Sequence, residues 1–467
     1  MRLFDGTPGA PAASHRGGST TAEVARLLHA EPDVPGLALL LDDDVLTGWV
    51  GDHLGPVAAS AGAQRDYLRF KPGAGGVARV RLGARGGDLL LALWHRDGAP
   101  KLHKTLQRSG AAVVVVDEPM LALLAHPAAD RDLPGLGRLH GRGAAATLQR
   151  LTPSDEGARR VLREVADTAG GWRTLAWKPQ RRWVGLLGEE VPPGHEPGPV
   201  DGPGAGQVVL RAYRPRVARH AVDRYAAVAP LLPGALPLLL GRDDRRGLVA
   251  VQHIPGAGLD ERLAHLRDQG QDAGDELRRA GDLVARLHDV AAAPLPPHAS
   301  TTWQDEADRV RAAAALVDVL LPDAAAGHLA EELALALPRL RDRLPVLVHG
   351  DLSADQVVLR PDGQAALIDL DEATFAPASV DLACAAAAWW TSDPGTAADR
   401  TTRLHEGYLG RRPLPDADSL RVRTAAHLLR RAAEPFRTGS PCWPQQVRDC
   451  VAAARAALRG CLPAGAP

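Results

Sequence analysis

One stretch constrains this chain more than any other. An apolar run, Val346-Leu-Val348, delivers a His349-Gly-Asp351 turn, and a carboxamide, Gln356, follows five residues after Asp351. Thirteen residues further on, a second apolar run, Ala366-Leu-Ile368, delivers Asp369, with Asp371 two places beyond. Short apolar runs ending in Asp-bearing turns read as strand ends that present carboxylates. A carboxylate placed to orient a hydroxyl, followed by two oxygen donors for a hard cation, is the order that phosphoryl transfer needs.

The surroundings agree with a large globular protein. At 467 residues the chain is long enough for about three domains. The net charge is −1, so bulk charge gives no reason to expect a nucleic acid or an anionic membrane as partner. Aromatic residues are only 4%, which leaves Leu, Val and Ala to fill the core. Cys384, Cys442, Cys450 and Cys461 have neither zinc spacing nor the density of a disulfide scaffold, and they read as buried or incidental thiols. The N-terminus lacks the apolar core of a signal peptide, and the most apolar long stretch, Val228 to Leu240, is broken by three prolines. A cytoplasmic protein is expected.

Along the chain, residues 1–20 read as a disordered leader, and Thr21–His29 as a short helix. Strands are predicted at Leu37–Leu41, Asp66–Phe70, Val77–Leu82, Asp88–Trp94 and Ala111–Val116. The cluster Asp42-Asp43-Asp44 reads as a turn rather than a metal site. A weak repeat is visible. Tyr67 to Pro72, Val77 to Leu82 and Leu89 to His95 form one copy; Leu175 to Pro179, Trp183 to Leu187 and Val208 to Arg214 form the second. Each copy reads strand, Lys-Pro turn, strand, loop, strand, and leads through a helical segment to a Leu-Pro-Gly, at Leu133 and at Leu232. Pro192–Gly206 reads as a flexible loop. After a strand at Gly247–Ile254 the pattern turns helical: Asp275–Val290, Asp305–Leu320, Ala324–Leu340, Asp381–Trp390, Ala397–Leu409, Asp418–Arg431 and Gln445–Leu458.

A β-rich part, then Val251-Gln-His-Ile254, then a helical part with His-Gly-Asp-x-x-x-x-Gln and Ile-Asp-x-Asp: with these in order, the chain resembles the aminoglycoside phosphotransferase and choline kinase superfamily. Ala285-Arg-Leu-His288 and Pro377-Ala-Ser-Val-Asp381-Leu-Ala fit the same pattern. The resemblance covers roughly residues 175–435. It implies an α+β, protein-kinase-like bilobal fold, with a small β-rich lobe over 151–254 and a large helical lobe over 255–467. A further β-rich cap is expected over 21–150. The implied cofactors are ATP (or GTP) and Mg2+, and the implied acceptor is a small hydroxylated molecule. Asp351 resembles the catalytic Asp. Asp369 resembles the magnesium-binding Asp, with Gln356 where the family has Asn, as in maltokinases, which also carry an N-terminal cap. His349 braces the turn, Asp371 is a second metal or loop contact, and Asp381 is a helix N-cap and loop anchor. Gln252, His253 and Ile254 would meet the purine.

The small lobe departs from that pattern. Arg211 stands where a Lys normally reaches the ATP phosphates, and Tyr225 where a Glu normally pairs with it, with Asp223 offset by two. The turn Lys178-Pro-Gln-Arg-Arg182 replaces a glycine-rich loop, whereas copy one has Gly73-Ala-Gly-Gly76 but Ala92 in place of Arg211. Copy one is therefore expected to be a cap. The departures also admit a pseudokinase that serves as a binding or scaffold module. An aminoglycoside site would draw on Asp260, Glu261, Asp305, Glu306 and Asp308, though acidic residues on helix faces are ordinarily solvated.

Overall fold

The computed structural model describes residues 22–83, 87–168, 171–188, 207–290, 300–342 and 344–462. The leader expected over 1–20 and the loop expected over Pro192–Gly206 lie outside them. The chain divides into two compact units: 1–219 with 240–251 and 436–441, and 220–239 with 252–435 and 442–467.

The first unit opens with four short helices, α1 (Ala22–Ala30), α2 (Leu37–Leu41), α3 (Asp43–Leu54) and α4 (Pro56–Ala61). The strand expected at Leu37–Leu41 is thus a helix. Five residues are too few for periodicity to separate the two states. Here Asp42 N–H bonds back to Ala38 O, and Leu40 packs over the sheet at Gly76, where any Cβ would lie 2.4 Å from its methyl carbon. Asp42 caps α3, accepting from the N–H groups of Asp44 and Val45, which settles the acidic triplet as a helix start.

Next come β1 (Ala63–Lys71), β2 (Gly75–Leu82), β3 (Asp88–Trp94), α5 (Ala99–Ser109), β4 (Val113–Asp117) and β5 (Ala122–Ala125), forming a sheet in the order β1-β2-β3-β5-β4. After α6 (Pro134–Leu148), β6 (Thr152–Pro153) and α7 (Glu156–Thr168), the plan recurs. β7 (Trp172–Lys178), β8 (Arg182–Gly188), β9 (Gln207–Tyr213), α8 (Pro215–Val228), β10 (Leu239–Asp243) and β11 (Leu248–Gln252) give the order β7-β8-β9-β11-β10, with β6 added at the edge.

The two sheets match in register as well as order. Ala92 faces Val77 across β3–β2, and Arg211 faces Val184 across β9–β8. Both first hairpins turn on Lys-Pro. Ala74 N–H bonds to Lys71 O and Arg181 N–H to Lys178 O, both at 3.0 Å. Gly73 (φ +67°) and Gln180 (φ +60°) take the left-handed position after the proline, as a type II turn requires. The two Leu-Pro-Gly segments, by contrast, are not equivalent. Leu133 follows β5 and leads into α6, whereas Leu232 lies between α8 and β10.

One core joins the two sheets. Val77, Leu90, Ala92 and Trp94 from the first pack in the same cluster as Trp177, Trp183, Leu187 and Leu210 from the second, with Leu136 and Leu139 of α6 and Leu162 and Val165 of α7. The amphipathic helices α6 and α7 each bury an apolar stripe in this layer.

The second unit is mainly helical. β12 (Ala257–Gly258), α9 (Leu259–Asp268), α10 (Gly274–His288), α11 (Trp303–Leu320) and α12 (Ala326–Ala336) precede four short strands: β13 (Pro345–Val348), β14 (Val357–Leu359), β15 (Ala365–Leu367) and β16 (Thr374–Pro377). Then come α13 (Ser379–Ser392), α14 (Pro394–Leu409), α15 (Ala417–Arg431), α16 (Glu434–Arg437) and α17 (Trp443–Leu458). α10 and α14 pack backbone to backbone. A Cβ on Gly281 would sit 2.0 Å from Leu404 O, and one on Gly407 would sit 1.9 Å from Arg278 O. That approach brings His288 against Tyr408. Among the described residues no helix is long and apolar enough to cross a membrane.

Candidate active site

β13 ends at Val348, and the turn that follows hangs on one buried carboxylate. Asp381 is fully buried. It accepts hydrogen bonds from His349 N–H (2.7 Å) and Gly350 N–H (2.8 Å). His288 Nε2 lies 3.2 Å from the same carboxylate, and His288 Nδ1 lies 2.9 Å from the Tyr408 hydroxyl. Burial alone would push the Asp381 carboxyl up. The hydrogen bond and charge of His288, then His349, outweigh it and hold the group below the usual aspartate value. Asp381 lies in the first turn of α13 but is not its N-cap, which is Ala378, so only the anchoring half of the expectation matches the geometry.

Gly350 has φ +84°, and a Cβ there would lie 2.3 Å from Glu372 O. Glycine is what allows the turn to press against the 369–373 segment. His349 Nε2 lies 2.7 Å from Ile368 O, which ties the turn to the strand that delivers Asp369. Asp351 is exposed beyond this brace. The Cys384 thiol lies 4.0 Å from its carboxylate and is pushed up to about 12 by burial and then by the Asp351 charge.

β14 and β15 form a hairpin whose ladder ends where Ile368 N–H bonds to Gln356 O at 2.9 Å. Gln356 and Asp369 therefore leave the same end of one hairpin. Asp369 adopts the left-handed conformation (φ +65°), which Asp tolerates better than most residues. Gln356 Nε2 donates to Asp355 Oδ2 at 2.9 Å; a carboxylate only accepts, so the amide nitrogen faces Asp355 and Oε1 is the remaining acceptor. Among the described residues no three His, Cys, Asp or Glu side chains converge as a cage for an ion. Magnesium does not require one, since it keeps water and takes one or two protein oxygens along with phosphate. An Asp369 carboxylate and a Gln356 amide oxygen fit that donor set.

The segment after Asp369 is held by α8. The Tyr225 hydroxyl accepts Leu370 N–H at 3.2 Å, and Arg224 donates to Ala373 O at 2.9 Å and to Asp371 O. Tyr225, read in sequence only as a missing Glu, thus holds the backbone beside Asp369. Asp223 is exposed. Asp371 itself is half-buried.

Gln252 ends β11, and its N–H is taken by Leu238 O at 2.9 Å. Ile254 is buried with Val358 and Ala366, against Ile368, in a small apolar cluster. His253 lies between them, half-buried. Arg211 is 4% exposed on β9, and its Nη1 donates to the Tyr213 hydroxyl at 3.2 Å. The helix-face acids divide. Glu306 is buried in a two-bond ion pair with Arg423, Asp305 completes the capping box of α11 with Thr302, and Asp308 lies 3.5 Å from Arg311. Asp260, near the start of α9, has its pKa raised by burial and then by the Asp355 charge. Asp355, Arg224 and Cys384 carried no sequence signal, although each lies against a motif residue, at Gln356, Asp371 and Asp351 in turn.

Residues 200–419 match the model of a family described as the phosphotransferase enzyme family. That segment carries Asp351, Gln356, Asp369 and Asp381, and the described residues form a mixed α+β fold. A comparison with curated proteins returns no match. Solved structures similar to the chain include an aminoglycoside phosphotransferase APH(3'') of Streptomyces rimosus (17% identity, covering 60% of this chain and 99% of that one, TM-score 0.39). The choline kinase LicA of Streptococcus pneumoniae is similar at 11% identity (64% and 100% covered, TM-score 0.44), and an ethanolamine kinase of Plasmodium vivax at 10% (71% and 96% covered, TM-score 0.45).

Proposed function

We propose that the chain moves the γ-phosphoryl group of ATP or GTP onto a hydroxyl of a small molecule. One observation carries the reading. The exposed Asp351 sits on a turn braced through His349 to the strand that delivers Asp369, with Gln356 at the same hairpin end. The acceptor oxygen bonds to the γ-phosphorus as the bond to the β–γ bridging oxygen breaks, and the nucleoside diphosphate leaves. Asp351 accepts the hydroxyl's hydrogen bond and takes its proton. Gln356 and Asp369 would hold magnesium, which when bound neutralises charge on the transferring phosphates. Arg211 steadies the phosphates, His253 and Ile254 meet the purine, and Asp371 and Asp381 support the loop. With Ala92 in the place of Arg211, the N-terminal copy serves as a cap.

The test is magnesium-dependent nucleotide consumption by the purified chain against pooled aminoglycosides, choline-like alcohols and sugars. Asp351→Ala is expected to lower turnover by roughly 10²–10⁴-fold while nucleotide-dependent thermal stabilisation persists. Equal turnover in the variant refutes the assignment. Nucleotide binding with no turnover across the panel points to a binding module instead.

A further inference from the structure

A second cluster of charge lies in the first unit, where the edge of the first sheet meets the hairpin turn of the second. Tyr67, Arg69 and Lys71 alternate along β1 and share a face. Their cross-strand partners are Arg79, Val77 and Gly75, and Val77 belongs to the core that joins the two sheets. The three side chains therefore line the edge of that shared layer. From the other side, the β8–β9 ladder ends on the Arg182–Tyr213 pair, so the next residues outward, Arg181 and Arg214, leave the sheet side by side. Asp130 fixes this corner. Its carboxylate accepts from Gln180 N–H at 2.7 Å and from Asp132 N–H at 3.2 Å, and Asp132 in turn pairs with Arg214 at 2.6 Å.

The charges here do not balance. The other arginines of β1 and β2 each have a carboxylate: Arg65 has Asp43, Arg79 has Asp88 and Arg81 has Asp66. Arg69, Lys71 and Arg181 have no direct carboxylate partner among the described residues; Asp132 pairs directly with Arg214, and its charge reaches Arg69 and Lys71 only from a distance. The positive potential is felt. Burial and then the Arg181 charge lower the pKa of Arg69, and the Arg69 charge does the same to Lys71. Two polar atoms at the cluster are buried without a partner, the Tyr67 hydroxyl, on a residue 7% exposed, and Arg214 Nε. Buried donors left unpaired and like charges held together are both unfavourable, and a compact anion accepting from both sets of donors removes both penalties.

We propose that Tyr67, Arg69, Lys71, Arg181 and Arg214 form a binding site for a small phosphate-bearing anion, bridging the edge strand of the first sheet to the β7–β8 turn of the second. Guanidinium groups suit phosphate because they donate two parallel hydrogen bonds. Arg181 lies in the turn that stands where a glycine-rich loop would be, so Asp369→Asn is the variant that separates this site from the phosphotransfer reading.

Inorganic pyrophosphate is the probe, titrated calorimetrically into the full-length protein at constant ionic strength. Arg69→Gln and Arg181→Gln are each expected to weaken binding roughly tenfold or more, as loss of a charge-assisted hydrogen bond does. Lys71→Gln, at an exposed position that does not endanger folding, weakens it less. Asp369→Asn leaves it unchanged. Three outcomes overturn the proposal: no pyrophosphate binding, binding that Arg69→Gln and Arg181→Gln leave intact, or binding lost in Asp369→Asn alone, which places the anion with the candidate metal ligands.

Discussion

Asp381 offers the sharpest test of how the candidate active site is held. Its carboxylate is the shared acceptor for His349 N–H, Gly350 N–H and His288, in a place that water does not reach. Asp381→Ala leaves two buried backbone donors without partners, at about 1–3 kcal/mol each, so a loss of about 2–6 kcal/mol is expected. Asp381→Asn keeps one acceptor and turns an NH2 toward the other donor, so it is expected to lose about half as much. Urea unfolding at neutral pH measures both. The folded-state pKa of Asp381 lies below its ordinary value, so the unfolded chain takes up the proton first as pH falls. The stabilisation is therefore fully present above the ordinary aspartate range, near about 4, and is lost as pH falls through the lower folded value. The gap between parent and Asp381→Ala should be full at neutral pH and should close only below that range. Midpoints within error of the parent, or a gap unchanged into strong acid, refute the anchoring role.

Two further outcomes follow from the packing. Gly281→Val drives a side chain into Leu404 O, 2.0 Å from the position of its Cβ, and should lower the thermal midpoint by several degrees, as overpacking by roughly 1–3 kcal/mol does. An unchanged melt means that α10 and α14 do not touch through that glycine. Iodoacetamide on the native protein at pH 8 should label the exposed Cys442 and Cys461, as read by mass spectrometry, and spare Cys384 and Cys450, whose thiols burial pushes up to about 12 and about 11. Native labelling of Cys384 contradicts the closed contact of α13 with the Asp351 turn.

Local signals carried much of the architecture. The 3.6-residue period marks α10, α14 and α15, and the Lys-Pro turns reveal two sheets of one plan. The Leu37–Leu41 helix escaped because five apolar residues have no readable period. What sequence could not supply was the partner across a long separation. Tyr225 looks like a lost glutamate until its hydroxyl is seen at Leu370, 145 residues away. Glu306 looks like a solvated helix acid until Arg423, 117 residues away, covers it. His288 likewise meets Asp381 across 93 residues. Each is a pairing fixed by tertiary packing, which no spacing rule within a single helix or strand encodes.

The core shared by the two sheets has a bearing on how this chain can be cut. The family match begins at residue 200, after β7 and β8 have already been laid down. A fragment started there would present β9 without its neighbour β8, a bare strand edge open to pairing with another molecule. A fragment started after residue 150 keeps that sheet whole. It still strips Val77, Ala92, Trp94, Leu136 and Leu139 from the layer holding Trp177 and Trp183, leaving two large indoles facing solvent. Either fragment should come out of expression as aggregate. The duplicated half behaves less as a detachable module than as one side of a sandwich that cannot be opened.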